Sequence, residues 1–149
     1  MRGVTVQERR ARLARRHRLA PAARTDDVVA IAGDLVGLHA TDPATVFLSA
    51  AARMRRPDVA AVERVVYDER RLVRTLCMRR TMFVVPADLV PVVQAGCTDA
   101  LVPGERRRTE QMLAEAGVDD AARELRRLER ATLAAIEARG EATGAELGR

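Results

Sequence analysis

The apolar positions of this chain recur first at helical and then at strand spacing, and the change of period outlines the fold. Residues 6–19 read as a basic helix whose apolar stripe, Val6, Leu13 and Ala14, is thin and which Pro21 ends. Thr25-Asp26-Asp27 supplies a capping hydroxyl and carboxylates for the positive end of a second helix, and Val28, Ile31, Ala32, Leu35 and Leu38 follow three and four residues apart. A third helix begins where Thr41 or Asp42 can cap and Pro43 takes the first helical position; Val46, Phe47, Ala50 and Met54 form its buried face. A fourth spans residues 58–69 with Val59, Val62 and Val66 inward. Residues 72–78 and 81–85 are then two β-prone runs, with Arg79-Arg80 between them and Pro86 after the second. The connection lacks the Asn-Gly of a tight hairpin. Helices joined by short loops and followed by a two-stranded ribbon predict a winged-helix module over residues 1–100.

Beyond the ribbon the helical period returns. Residues 87–95 are expected to form a helix with Pro91 in its first turn and Gly96 as its stop. Residues 105–116 form a basic-then-acidic helix closed by Gly117, so 101–118 read as a connecting helix and loop. Residues 119–139 form the longest helix, with Ala122, Leu125, Leu128, Thr132 and Ile136 on one stripe and Gly140 as its cap. Thr143-Gly144-Ala145-Glu146 is a capping box, with a hydroxyl at the cap and a carboxylate three residues on. A helix ending in Arg-Gly, a short connection and Thr-x-x-Glu-Leu read as the first two helices of a helix-turn-helix. Residues 119–149 are therefore expected to begin a second winged-helix module, truncated here, whose recognition helix and wing follow Arg149. The expected fold class is mainly α with a small β-hairpin.

Composition sharpens this outline. Hydrophobic residues make up 48% of the chain but aromatic ones only 2% (Phe47, Tyr67 and Phe83), so the core must be aliphatic. So few rings argue against a single-strand stacking platform or an RNA-recognition sheet. The net charge is +5 and every basic residue is Arg, whose planar fork suits phosphate and guanine edges. A GC-rich coding sequence accounts for the missing Lys, and the positive balance points to an anionic partner. Cys77 and Cys97 are too few for a metal motif or a disulfide framework, and neither His17 nor His39 has ligand spacing to a thiol or carboxylate, so no metal and no cofactor are expected. The N-terminus opens with charge rather than an apolar stretch. The longest apolar run, residues 82–93, is interrupted by Pro86, Asp88 and Pro91. The expectation is a soluble, cytoplasmic protein without a membrane span. No Gly-rich phosphate loop, nucleophile elbow or paired-carboxylate motif marks another enzyme class.

The segment Val36-Gly37-Leu38-His39-Ala40-Thr41-Asp42-Pro43-Ala44-Thr45, followed by Leu72-Val73-Arg74-Thr75 and Met78-Arg79-Arg80-Thr81, resembles the winged-helix DNA-binding proteins that include the AlkZ-like and YcaQ-like bacterial DNA glycosylases. The resemblance runs from about residue 9 to 148, and full members of the family are more than twice as long. It implies tandem winged-helix modules around a basic DNA channel and a role in DNA repair, the excision of alkylated or crosslinked bases. The family's catalytic motif is two polar residues flanking an apolar one, typically Gln-x-Gln, and the matching positions are His39, Ala40 and Thr41. Thr41 departs from the family's Gln or Asp.

The chemistry fits the spacing. In an extended segment, residues two apart point the same way, so His39 and Thr41 can face one target. Cleaving an N-glycosidic bond passes through a sugar cation, and the site must hold a water and stabilise positive charge. Histidine can take the water's proton near neutral pH. Thr41 offers a hydroxyl but not the reach of glutamine. Asp42 is either a substitute base or a helix cap, Thr41 a catalyst or a cap, and His39 a catalyst or a packed histidine ending the second helix.

Among the arginines, Arg79 and Arg80 at the ribbon tip, with Arg74 on the ribbon, would meet DNA as a wing does; the alternative is a charged tip that keeps a sheet edge soluble. Arg15 and Arg16 on the first helix, and Arg106-Arg107-Arg108, read as phosphate contacts or as a solvated face. Double-stranded DNA is thus the expected partner. Base excision is the second reading, and a winged helix serving protein contacts or transcriptional control the third. Six phosphates neutralised would give a log–log salt slope near −5.

Overall fold

The computed structural model describes residues 3–148; Met1 and Arg2, and Arg149, which falls in the segment expected to begin a second module, lie outside the described residues. The chain is mostly helical with a small three-stranded antiparallel sheet, consistent with a winged-helix arrangement, and divides into two compact units, Met1–Ala100 and Leu101–Arg149.

In the first unit, α1 (Val6–Arg16) begins on Thr5, whose side chain accepts from the Glu8 amide. It ends at Arg16, short of the expected residue 19. Arg18 adopts φ +55°, the Arg18 amide bonds to the Arg15 carbonyl and the Leu19 amide to the Ala14 carbonyl, a left-handed helix stop built on arginine where glycine is usual. None of its residues is buried.

Helix α2 (Val28–Asp34) is capped by Asp27, which accepts from Ala30; Thr25, expected as the cap, instead accepts from the Asp27 amide. It buries Val28, Ile31 and Ala32 and stops at Leu35. Leu38 is therefore not on its stripe. It belongs to β1 (Leu38–His39), a strand whose two residues are too short a run to carry a period. Helix α3 (Pro43–Ala51) is capped by Asp42, not Thr41, and buries Val46 and Ala50. Helix α4 (Val59–Glu63), capped by Asp58, continues through a π turn (Arg64–Asp68) and buries Val62, while Val59, expected inward, is exposed.

Strands β2 (Leu72–Leu76) and β3 (Met82–Pro86) form the expected hairpin, and β1 pairs on the other side of β3, giving the order β1-β3-β2. The register sets Leu38 opposite Val84 and His39 opposite Phe83; Arg74 also lies opposite Val84, and Thr75 opposite Phe83. Opposed residues share a sheet face, so the two faces carry different loads. Leu38, Leu72 and Val84 join the main core with α2, α3 and α4. Phe83 and Val85 face a smaller cluster with Cys77, Val93 and Cys97.

Pro91 does lie in the first turn of the short α5 (Val90–Val93). Gly96, by contrast, does not stop a helix. It sits inside a π turn (Gln94–Thr98) that leads into α6 (Asp99–Glu115), and Glu105, expected to begin a helix, is interior to α6. Glycine lowers helix propensity by only about 1 kcal/mol, which neighbouring packing overrides.

In the second unit, α7 (Ala121–Arg139) starts on Asp120 and closes on Gly140 at φ +81°. Arg106 forks onto Glu129, with nitrogen–oxygen distances of 3.0 and 2.9 Å. Both halves of the capping box that starts α8 (Gly144–Leu147) are formed: the Thr143 amide donates to Glu146 at 2.7 Å and the Glu146 amide to Thr143 at 3.4 Å. Among the described residues, no helix is long and apolar enough to cross a membrane.

Candidate active site and arginine cleft

The His39 segment is extended because of what precedes it. Val36 holds φ +67°, a left-handed conformation rare for a β-branched residue, which turns the chain out of α2. Gly37 then lies directly against β3: a Cβ there would stand 2.8 Å from Val85 Cγ1 and 3.3 Å from the Val84 carbonyl oxygen. Only glycine lets β1 come this close.

The consequence is a fixed alternation. Ala40 is fully buried, its amide donates to the Met82 carbonyl at 2.8 Å, and its own carbonyl accepts from Arg74 Nε at 3.1 Å. The residues flanking it point the other way. His39 is half-buried, its ring edge-on to Phe83 with centroids 5.3 Å apart and planes at 81°. His39 Nε2 and Thr41 Oγ1 are 3.4 Å apart, so imidazole and hydroxyl form one polar pair at an accessible surface. Either group can donate, depending on the imidazole tautomer. Asp42 stands next to them, exposed, with its carboxylate accepting from the Ala44 amide at 2.9 Å as the α3 cap.

Arg74 sits on the opposite sheet face from His39 and Thr75, exposed beyond its Nε contact. Arg79 and Arg80 occupy the hairpin tip. Both have positive φ, +54° and +60°, and the Thr81 amide closes the turn on the Met78 carbonyl at 3.2 Å. This is the mirror-image turn that right-twisted hairpins prefer, built from two arginines instead of Asn-Gly. Each left-handed residue costs roughly 1–2 kcal/mol.

Arg15 and Arg16 fall elsewhere, on the wall of an open cleft of about 620 Å³ in the first unit. Arg18, Arg24 and Arg55 line the same cleft, and Asp34 is its one carboxylate. Arg18 Nε pairs with Asp34 and its Nη1 donates to the Ala23 carbonyl at 3.2 Å; Arg55 Nε donates to the Arg24 carbonyl at 2.9 Å. Sequence reasoning missed Arg24 and Arg55 as companions of Arg15, because 31 residues separate the two and each sits in an irregular segment. The only signal was the run of seven arginines and no carboxylate between residues 9 and 24.

Two further groups that stand out in the sequence lie apart from this cleft. Arg106 is engaged by Glu129 and Glu110 within the second unit. Cys77 and Cys97, distant in sequence, share the smaller apolar cluster, where burial and the neighbouring Cys77 sulfur push the Cys97 thiol above its ordinary range. No group of three or more His, Cys, Asp or Glu that could hold a metal occurs among the described residues.

Comparison with known proteins adds one finding. A family model described as DNA glycosylase AlkZ-like matches residues 32–149, and so takes in the His39 segment and the hairpin but begins after α1 and Arg24, later than the resemblance near residue 9 suggests. No curated protein and no solved structure matches the chain. The match covers well over half of the sequence. The chain belongs to the AlkZ-like DNA glycosylase family.

Proposed function

We propose that this chain binds double-stranded DNA through its winged-helix-like first unit, with the β2–β3 hairpin as the wing. The observation that carries this reading is the tip: Arg79 and Arg80 are both held in the left-handed region, where glycine or asparagine would cost less. Strain kept at an exposed charged turn, when a cheaper sequence exists, is best explained by what the arginines touch. Replacing Arg79-Arg80 by Asn-Gly tests it. The expected result is a more stable hairpin together with weaker duplex binding and a salt slope smaller by about 2. Unchanged binding in that variant overturns the reading.

A second reading, hydrolysis of an N-glycosidic bond, is favoured by the 3.4 Å approach of His39 Nε2 to Thr41 Oγ1. An alkylated purine that carries a positive charge leaves as a neutral base, taking the bonding electron pair from C1′. The site then needs no acid. A water oxygen bonds to C1′, His39 takes its proton, and the Thr41 hydroxyl orients the water. The products are a free base and an abasic sugar. Incubating duplex DNA containing N7-methylguanine with the protein should release the base. His39→Ala should abolish release and Thr41→Ala should slow it, with duplex binding retained in both; release that survives His39→Ala overturns this assignment.

A further inference from the structure

We infer that the cleft lined by Arg15, Arg16, Arg18, Arg24 and Arg55 is a phosphate-binding site that grips the sugar–phosphate backbone of a duplex, a second contact in addition to the hairpin tip; the inference rests on the reading that the chain binds DNA.

Five guanidinium groups face one cleft against a single carboxylate, and that carboxylate is already engaged by Arg18. An arginine-rich helix that is merely solvated spreads its charges into water. Here two of the charges are fixed in place by the fold. Arg18 is held by Asp34 and the Ala23 carbonyl, and its left-handed backbone at the end of α1 aims the side chain across to α2. Arg55 is held by the Arg24 carbonyl. Arg24 itself is half-buried, its Nε is enclosed, and its guanidinium has no hydrogen-bond partner among the described residues. Arg15 and Arg16 likewise have none, and project from the last turn of α1. Like charges so arranged repel one another until an anion joins them, and guanidinium forks match the paired oxygens of a phosphodiester.

The exposed side of α4 and its extension carries Glu63, Asp68 and Glu69 as well as Arg64, a mixed charge unsuited to a phosphate track. Four of the five cleft arginines precede residue 32, where the family match begins, while Asp34 and Arg55 fall within it.

The experiment is fluorescence anisotropy of the full chain with a labelled duplex oligonucleotide across a potassium chloride series. Arg24→Gln combined with Arg55→Gln is expected to lower the salt slope by about 2 and to weaken binding at fixed salt by roughly tenfold, with an unchanged circular dichroism spectrum. Asp34→Asn frees Arg18 and removes the one negative charge, so it should tighten binding several-fold. A gain of affinity there cannot come from lost folding, so Asp34→Asn checks the cleft independently of the double variant. Inorganic pyrophosphate, tested alone by thermal shift, separates a free phosphate ligand from the backbone. Stabilisation of the wild type by pyrophosphate, with duplex affinity unchanged in the double variant, overturns the duplex assignment. Wild-type duplex binding with an unaltered slope in the double variant and in Asp34→Asn overturns the cleft alone. Absence of wild-type duplex binding overturns the DNA reading and the cleft with it.

Discussion

Arg74 Nε donates a hydrogen bond to the Ala40 carbonyl at 3.1 Å, so the middle of β2 holds the residue that separates His39 from Thr41. With the Ala40 amide bonded to Met82, the peptide groups on both sides of this alanine are fixed. Arg74 is thus a positioning residue for the polar pair. Arg74→Leu should cost about 1 kcal/mol, a fall of roughly 4 °C in Tm for a unit of this size. If N-glycosidic hydrolysis occurs here, base release should drop far more than duplex affinity. Equal loss of both would mean that Arg74 acts as a DNA contact instead.

Gly37 is the second support. A Cβ added at this position would meet a fully buried Val85 methyl and the Val84 backbone, neither of which can swing aside. Gly37→Ala should therefore push β1 off β3 and cost about 1–3 kcal/mol, as overpacking does. The ring-current shift that Phe83 imposes on the His39 imidazole reports the displacement by NMR. A Tm and a His39 shift both equal to wild type would refute the close-approach argument.

Val36 makes the opposite forecast. Its left-handed backbone costs roughly 1–2 kcal/mol as a valine, whereas glycine adds about 0.5–1 kcal/mol of unfolded-state entropy. Relief of strain outweighs the entropy, so Val36→Gly should raise stability by about 0.5–1 kcal/mol in chemical denaturation. Val36→Ala, which keeps a Cβ at the same φ, should gain less.

Asp26 gives the acid dependence. Its carboxylate accepts from the Arg56 amide at 2.9 Å and pairs with Arg56 Nε at 3.4 Å. The backbone hydrogen bond, helped by the guanidinium, holds its pKa below the ordinary carboxylate value. A depressed folded-state pKa contributes stability that is fully present above the unfolded value of about 3.9 and is lost as pH falls through the folded one. Asp26→Asn should therefore lower Tm at about pH 6 and leave it close to wild type well below about pH 3. A Tm gap that persists unchanged into acid would mean that the ion pair is not its source.

What the sequence reveals and what it conceals have physical reasons. Long periodic stretches and caps are readable: the helix that closes on Gly140, the capping box at Thr143 and Glu146, and the hairpin with Arg79 and Arg80 between its strands are all present. The approach of His39 to Thr41 is also readable, because it depends only on a locally extended chain. Strand β1 is not, since two residues carry no period and Leu38 continues the stripe of α2 by coincidence. Helix stops escape local propensity where tertiary packing overrides it, as at Gly96. The run of arginines before residue 25 only hints at the arginine cleft, because the cleft joins residues whose proximity is decided by how α1, α2 and the loop after α3 pack.

Helix α1 buries none of its side chains. What fastens it is polar: the Arg53 Nε bond to the His17 carbonyl at 3.0 Å and the Arg18 pairing with Asp34. An element anchored by charges rather than by oil opens at low free energy, well before the core behind it melts. Its amides should exchange with deuterium early, and faster as salt weakens the anchors. The segment bearing Arg15 and Arg16 is then a pliable arm, able to adjust to a polyanion of variable curvature while the core of the unit stays closed.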